Sequence, residues 1–323
     1  MITGGNTMIN NDSRPSILES NLFYLFTAVI FLTLGAYSQS KDIYSGLLIT
    51  EYIIILFPTI FYLKMRGYSL KKVLRLNKIT LKQALILPII TIFSYPIGVF
   101  FNYLMIIVIN LFGKINPTPI PTPESTQEMI IGLFVIAISA GICEEIMFRG
   151  FMMKAYEKNG TMYGIISSAI LFGLFHFNIQ NLLGPIFLGI LFGYIVYKTN
   201  SIFSGIITHI TNNSIALVVS VLVSKVNIDP EATSEIAASG VISDTAMMLI
   251  GAIGIGFIAI VSGVIVYFLL KLLPKGESDE TVIDSDVEEE MLSIRPKTNI
   301  IAFLPIFVVL LLFGYMTYIY FIA

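Results

Sequence analysis

Apolar residues run through this chain in stretches too long to be the stripe of an amphipathic helix or the alternating face of a strand. Nine such runs extend approximately from Leu22 to Tyr37, Ile43 to Leu63, Gln83 to Phe112, Met129 to Met153, Thr161 to Asn178, Leu182 to Tyr197, Ser201 to Ser224, Thr245 to Leu270 and Ile300 to Ile322. A helix needs roughly 20 residues to cross a hydrocarbon core about 30 Å thick. Continuous runs of this length, rather than ten-residue alternating segments, predict helices and argue against an outer-membrane barrel. The expected fold is all-α: a polytopic transmembrane helix bundle of about nine spans, with no β domain.

The polar segments divide the chain. A polar N-terminal tail (1–20) is followed by N-terminal membrane helices (21–128) that contain a basic loop (64–82). A core of apolar runs (129–225) comes next. The C-terminal helices (226–323) are joined by an acidic linker (275–299). The first twenty residues lack a basic region leading into a cleavage site, so no removable signal peptide is expected. Composition agrees: 56% of the 323 residues are hydrophobic and 12% are charged, and the mean hydropathy of +0.85 is well above that of soluble domains. The single cysteine, Cys143, excludes an intramolecular disulfide.

The basic residues orient the bundle. Lys64, Arg66, Lys71, Lys72, Arg75, Lys78 and Lys82 share one short loop without an acidic residue, as cytoplasmic loops do. Counting spans from that loop assigns 16 of the 19 basic residues to the inner side and leaves Lys41, Lys114 and Lys225 outside. The expectation is an integral protein of a bacterial cell membrane with a cytoplasmic N-terminus. Leu70, Val73 and Leu74 share a helical face in the basic loop, and Thr80 with Gln83 fits a capping box opening the third span. The loop reads as a topology determinant lying on the anionic inner leaflet, with no catalytic role. Residues 116–123, an Asn-Pro-Thr-Pro-Ile-Pro-Thr-Pro string, cannot be helical. Eight acidic residues between Lys275 and Lys297 read as a solvated linker.

Ionisable side chains within membrane spans are costly and mark functional sites. Here they are Glu51, Glu144, Glu145, Arg149, His176 and His209, the two histidines being the only ones in the chain. Glu145 and Arg149 lie four apart on one helical face, the favourable order for an ion pair. Glu144 is rotated by about 100° and is therefore the less neutralised carboxylate. Counted from the connecting turn, Glu144 and His176 fall at similar depth, about 21 to 23 Å. His209, with Asn213 one turn on, approaches from a third helix. Taken singly, these are a structural ion pair, a core histidine and interhelical glue. Taken together, they suit activation of water and stabilisation of an oxyanion. Glu51, without companions in its own run, reads as a buried hydrogen-bonding residue. Cys143 reads as a small packing residue, and Gly189 with Gly193 as a helix-packing face.

These residues resemble the motifs of the type II CAAX protease family, the CAAX protease and bacteriocin-processing enzymes, whose members are intramembrane proteases. The pattern Glu-Glu-x-x-x-Arg, Phe-x-x-x-His, His-x-x-x-Asn appears here as Glu144, Glu145 and Arg149, then Phe172 and His176, then His209 and Asn213, within 70 residues. The resemblance implies an intramembrane endopeptidase, metalloprotease-like, cutting membrane-associated proteins or peptides, prenylated or otherwise lipidated ones among them. It implies Glu144 as the base for the attacking water and His176 as a holder of that water. His209 and Asn213 would stabilise the oxyanion, with Glu145 and Arg149 bracing the site. Glu144, His176 and His209 would be the ligands of a zinc ion if one is used; a metal-free glutamate mechanism is equally allowed. The resemblance leaves out the first span, the acidic linker and the ninth span.

Two other functions are compatible with the pattern: a bacteriocin-immunity or peptide-binding membrane protein that does not cleave, and a proton-coupled transporter. The polar residues cluster at one level instead of forming a path, and no inverted repeat with broken helices is evident. A peptide or protein substrate and the lipid bilayer are the expected partners, with no nucleic acid.

Overall fold

The computed structural model describes residues 14–113, 122–225, 244–276 and 299–322. Among these residues every regular element is helical. Seven helices are long and apolar enough to cross a membrane: α1 (Ile17–Lys41), α2 (Ile43–Met65), α3 (Leu81–Phe112), α4 (Thr126–Asn159), α7 (Ile202–Ser224), α8 (Thr245–Leu272) and α9 (Ile300–Phe321). The shorter apolar helices α5 (Thr161–Phe175) and α6 (Leu183–Thr199) complete the order. The nine expected runs are therefore nine apolar helices, two of them short. Residues 116–121 of the Pro-rich string and 277–298 of the acidic linker lie outside the described residues.

Local chemistry sets the helix starts. Ser16 and Glu19 form a reciprocal capping box at α1, and Thr80 and Gln83 form the expected one at α3. Asp42 and Ser125 accept the Ser45 and Glu128 backbone N–H groups at α2 and α4. Gly160 at φ 118° makes the α4–α5 turn, a backbone conformation that a side chain would strain. Asn200, at φ 48°, ends α6 in the left-handed region.

Two apolar clusters form the interior. Residues of α1, α2, α4, α5 and α9 make the larger one, rich in rings: Phe23 meets Phe151 edge-on, Tyr24 and Phe31 pack on Phe175, and Phe177 packs on Phe313. The second joins α3, α6 and α8 through Leu87, Ile90, Phe192, Ile195 and Val266. Buried polar side chains tie helices together. Asn21 accepts from the Tyr156 hydroxyl at 2.6 Å and donates to the Ala302 carbonyl at 2.8 Å, linking α1, α4 and α9. The Tyr24 hydroxyl donates to the Leu171 carbonyl. Gly189 lets α6 rest on α5, since a Cβ there would stand 2.8 Å from Ala169 Cα. This is the packing face expected of the Gly189 and Gly193 pair.

The basic loop does more than lie on a surface. Its one-turn helix Leu70–Val73 buries Val73, and Leu74 follows it inward. Arg75, buried at φ 48°, donates to both carboxylate oxygens of Glu157 at 2.6 and 2.7 Å. The Arg75 carbonyl accepts from Ile202 N, Asn77 Nδ2 donates to the Asn200 carbonyl, and Ser201 Oγ donates to the Asn77 carbonyl. The loop thus clamps the end of α4 to the start of α7, a structural role that its charge pattern alone does not show.

Candidate active site

Helix α4 is irregular where its charges sit. Two π-helical stretches, Leu133–Ser139 and Ile146–Met152, flank the α-helical turn Ala140–Glu145. Such widened turns recur at functional sites because they re-aim side chains that a regular helix would stack. Gly141 lets α7 approach this turn, as a Cβ at that position would lie 2.6 Å from Ile210 Cγ1.

Of the sequence-predicted residues, Arg149, Glu145, His209 and Glu144 fall into one chain of contacts, while His176 and Asn213 stand beside it. Arg149 Nη1 stands 3.0 Å from Glu145 Oε1, both side chains being fully buried. The approach lacks hydrogen-bond geometry, so the N–H groups of the guanidinium keep no acceptor among the described residues. The cation lies instead on rings, with Cζ 4.3 Å from the Phe172 centroid and 5.7 Å from that of Phe192. Glu145 Oε1 is also 3.0 Å from His209 Nδ1. The Glu145 partner assigns the proton to Nδ1 and turns Nε2 toward Glu144, whose Oε2 is 3.6 Å away. Glu144 is the one carboxylate of the pair to keep contact with the outside, at 15% side-chain exposure against 0% for Glu145.

His176 caps the C-terminal end of α5. Its Nδ1 pairs with the Phe172 carbonyl at 2.9 Å, which makes Nδ1 the donor and leaves Nε2 as an acceptor. The Phe172 ring meets both imidazoles edge-on, at 5.0 Å for His176 and 5.7 Å for His209. Asn213 Nδ2 donates to the Ile136 carbonyl at 3.0 Å, and its Oδ1 accepts from Asn212. One of its two amide hydrogens is therefore committed to the backbone. Cys143 is buried.

Donation of each imidazole's Nδ1–H to a carbonyl or carboxylate is the arrangement that usually accompanies metal ligation. Yet among the described residues no three His, Cys, Asp or Glu side chains are grouped to hold a metal ion. The trio Glu144, His176 and His209 is not assembled as a ligand set, with the Phe172 ring packed against both imidazoles.

One residue changes its meaning. Glu51 lies in a π-helical stretch of α2, Ile49–Leu56, that packs on the Ala140–Glu145 turn. It is not a hydrogen-bonding residue: its Oε2 is buried and has no partner among the described residues. Nor is it without companions, because the Glu144 carboxyl lies within electrostatic reach. The signal in the sequence was the cost of a carboxyl group in an apolar run, the same signal that singles out Glu144.

Comparison with known proteins bears on this same stretch. Residues 126–215, from the start of α4 through the His209 and Asn213 turn of α7, match the model of the family "Type II CAAX prenyl endopeptidase Rce1-like". This segment is Rce1-like. The family recognised from the three motifs and the family matched here agree. The Bacillus subtilis (strain 168) protein named "Putative membrane peptidase YdiL" is 28% identical over 93 residues, which are 28% of this chain and 38% of that relative. The match thus spans well under half the length of either protein. No solved structure gives a significant match.

Proposed function

We propose that this protein is an intramembrane endopeptidase that hydrolyses a peptide bond of a membrane-associated protein or peptide with water activated by Glu144. The observation that carries the reading is the unequal placement of the two adjacent glutamates. Glu145 is enclosed by Arg149 and His209 Nδ1, whereas Glu144 faces His209 Nε2 and retains exposure. A general base must reach the proton that it abstracts, and of the two only Glu144 is accessible.

The groups divide the work as follows. Glu144 takes a proton from water while His176 Nε2, its Nδ1 engaged by the Phe172 carbonyl, accepts the other hydrogen and holds the oxygen. Hydroxide adds to the carbonyl carbon, and the second amide N–H of Asn213 donates to the oxyanion. Glu145 fixes the His209 ring so that Nε2 stands beside the proton held on Glu144. On collapse the C–N bond breaks, and that proton passes to the leaving amine. The aromatic walls Phe172 and Phe192 keep the cluster in a low-dielectric setting, where such interactions are strongest.

Cleavage of a lipidated peptide library in liposomes tests the reading. Replacement of a general base removes about 10²- to 10⁴-fold of rate, so Glu144→Gln should lose at least the lower figure while Cys143→Ser stays near wild type. Full activity in Glu144→Gln overturns the mechanism, and selective loss in Cys143→Ser points to a thiol protease. Metal analysis of protein purified without a histidine tag, before and after chelation, decides whether zinc takes part.

A further inference from the structure

Glu51 is the buried carboxyl group that the proposed mechanism does not use. Its side chain is 4% exposed, and Oε2 has no partner among the described residues. Its position is fixed on both sides: Thr50 Oγ1 accepts from Gln39 at 2.9 Å, and Ser139 Oγ of α4 donates to the Tyr52 hydroxyl at 3.3 Å. The depth also matches. Glu51 stands 14 residues before the Met65 end of α2 and Glu144 stands 15 before the Asn159 end of α4, and both intervals contain a π-helical stretch. The two carboxyl groups thus share one level on adjoining turns.

Glu51, Glu144 and Glu145 gather at one place, where the described residues supply a single fixed cation, Arg149, and that cation is set against Glu145. Buried acidic groups are retained when a partner of opposite charge or a hydrogen-bond donor meets them. Nothing among the described residues does so for Glu51.

We propose that Glu51 is a substrate-recognition residue that receives a basic group of the peptide, a Lys or Arg side chain or a free amino terminus, close to the bond that Glu144 addresses. The proposal rests on the peptidase reading and names a property of its substrate. The ammonium or guanidinium donates to Glu51 Oε2, and its charge offsets the surplus of carboxyl groups. A peptide without a cation at that place leaves the group as it stands now, buried and unmatched.

The test uses the full-length protein in nanodiscs, carrying Glu144→Gln to prevent turnover. Fluorescent acylated peptides are compared by anisotropy: one Lys moved stepwise along the sequence, the same set with norleucine, and free against acetylated amino termini. We expect one Lys position, or the free amino terminus, to bind at least tenfold tighter than its neutral twin. Adding Glu51→Gln should erase that preference with the neutral peptides bound as before, and Glu51→Asp should keep part of it. The Lys arm and the acetylation arm identify which cation is read. Absence of any preference, its persistence in Glu51→Gln, or an equal loss for charged and neutral peptides overturns the proposal. Binding does not require cleavage, so a wild type that cuts nothing defeats the peptidase reading without deciding the fate of Glu51. The thermal midpoint of each variant separates misfolding from lost recognition.

Discussion

Arg149 is fully buried, packed on two aromatic faces, and set against one carboxylate. Truncating one member of a buried ion pair strands the other, at a cost of about 3 to 5 kcal/mol. Arg149→Ala should therefore lower the thermal midpoint in detergent sharply, whereas Arg149→Lys, which keeps the charge but loses the planar stack, should fall between. Gly205 offers a gentler probe: a Cβ there would meet Glu145 Oε2 at 2.6 Å and Val196 Cγ2 at 2.7 Å. Gly205→Ala should cut cleavage at least tenfold by pushing Glu145 off the His209 ring, with a smaller loss of stability than Arg149→Ala, read by assay and melting curve together. Glu144, Glu145, Arg149, His176 and His209 were legible in the sequence because an ionisable side chain in an apolar run is conspicuous. Glu51 is equally conspicuous, but its relation to Glu144 exists only once α2 packs on α4, so spacing along the chain gave no companion. For Asn213 the sequence showed an amide one turn from His209; that half of its donor capacity goes to the Ile136 carbonyl depends on where α4 unwinds into π turns.

The nine apolar runs and the caps at Thr80 and Gln83 followed from residue types alone, since a span length and a capping box are local properties. The π-helical stretches and the clamp at Arg75 did not. A π turn leaves no compositional trace, and a loop of seven cations looks the same whether each faces lipid headgroups or one is turned inward. Arg75 is turned inward, onto Glu157, while its carbonyl caps the N-terminus of α7. Arg75→Ala should thus destabilise the protein by roughly the cost of a broken buried pair, about 3 kcal/mol or somewhat less because Lys154 Nζ stands 3.5 Å from Glu157 as a second partner. Replacing Lys71, Lys72 or Lys78 should change thermal stability by no more than about 0.5 kcal/mol, as surface substitutions do. Comparing the melting curves of the four variants separates the clamp from the charge of the loop.

Across the whole molecule, α9 is not an appendage even though it lies outside the family-matched stretch. Asn21 joins it to α1 and α4, and Phe313 packs on Phe177 beyond the end of α5. Asn21→Leu leaves the Tyr156 hydroxyl and the Ala302 carbonyl without their partner, for a penalty of about 1 to 3 kcal/mol per stranded group. Hydrogen exchange should then rise in α1 and α9 together, whereas independent packing of the two would confine the change to one. Against α9 rests the turn after His176, with Phe177, Asn178 and Ile179 facing Met316, Thr317 and Tyr320 across a cavity of about 230 Å³. Helix α5 has 15 residues, about 22 Å of rise, against a hydrocarbon core of about 30 Å. A hydrocarbon core of that thickness exceeds the rise of α5, and on the peptidase reading lipid length becomes a control on cleavage. Short acyl chains match α5 as it stands, whereas long ones force the bilayer to thin locally around it. Peptide hydrolysis in vesicles of graded chain length should fall as the bilayer thickens.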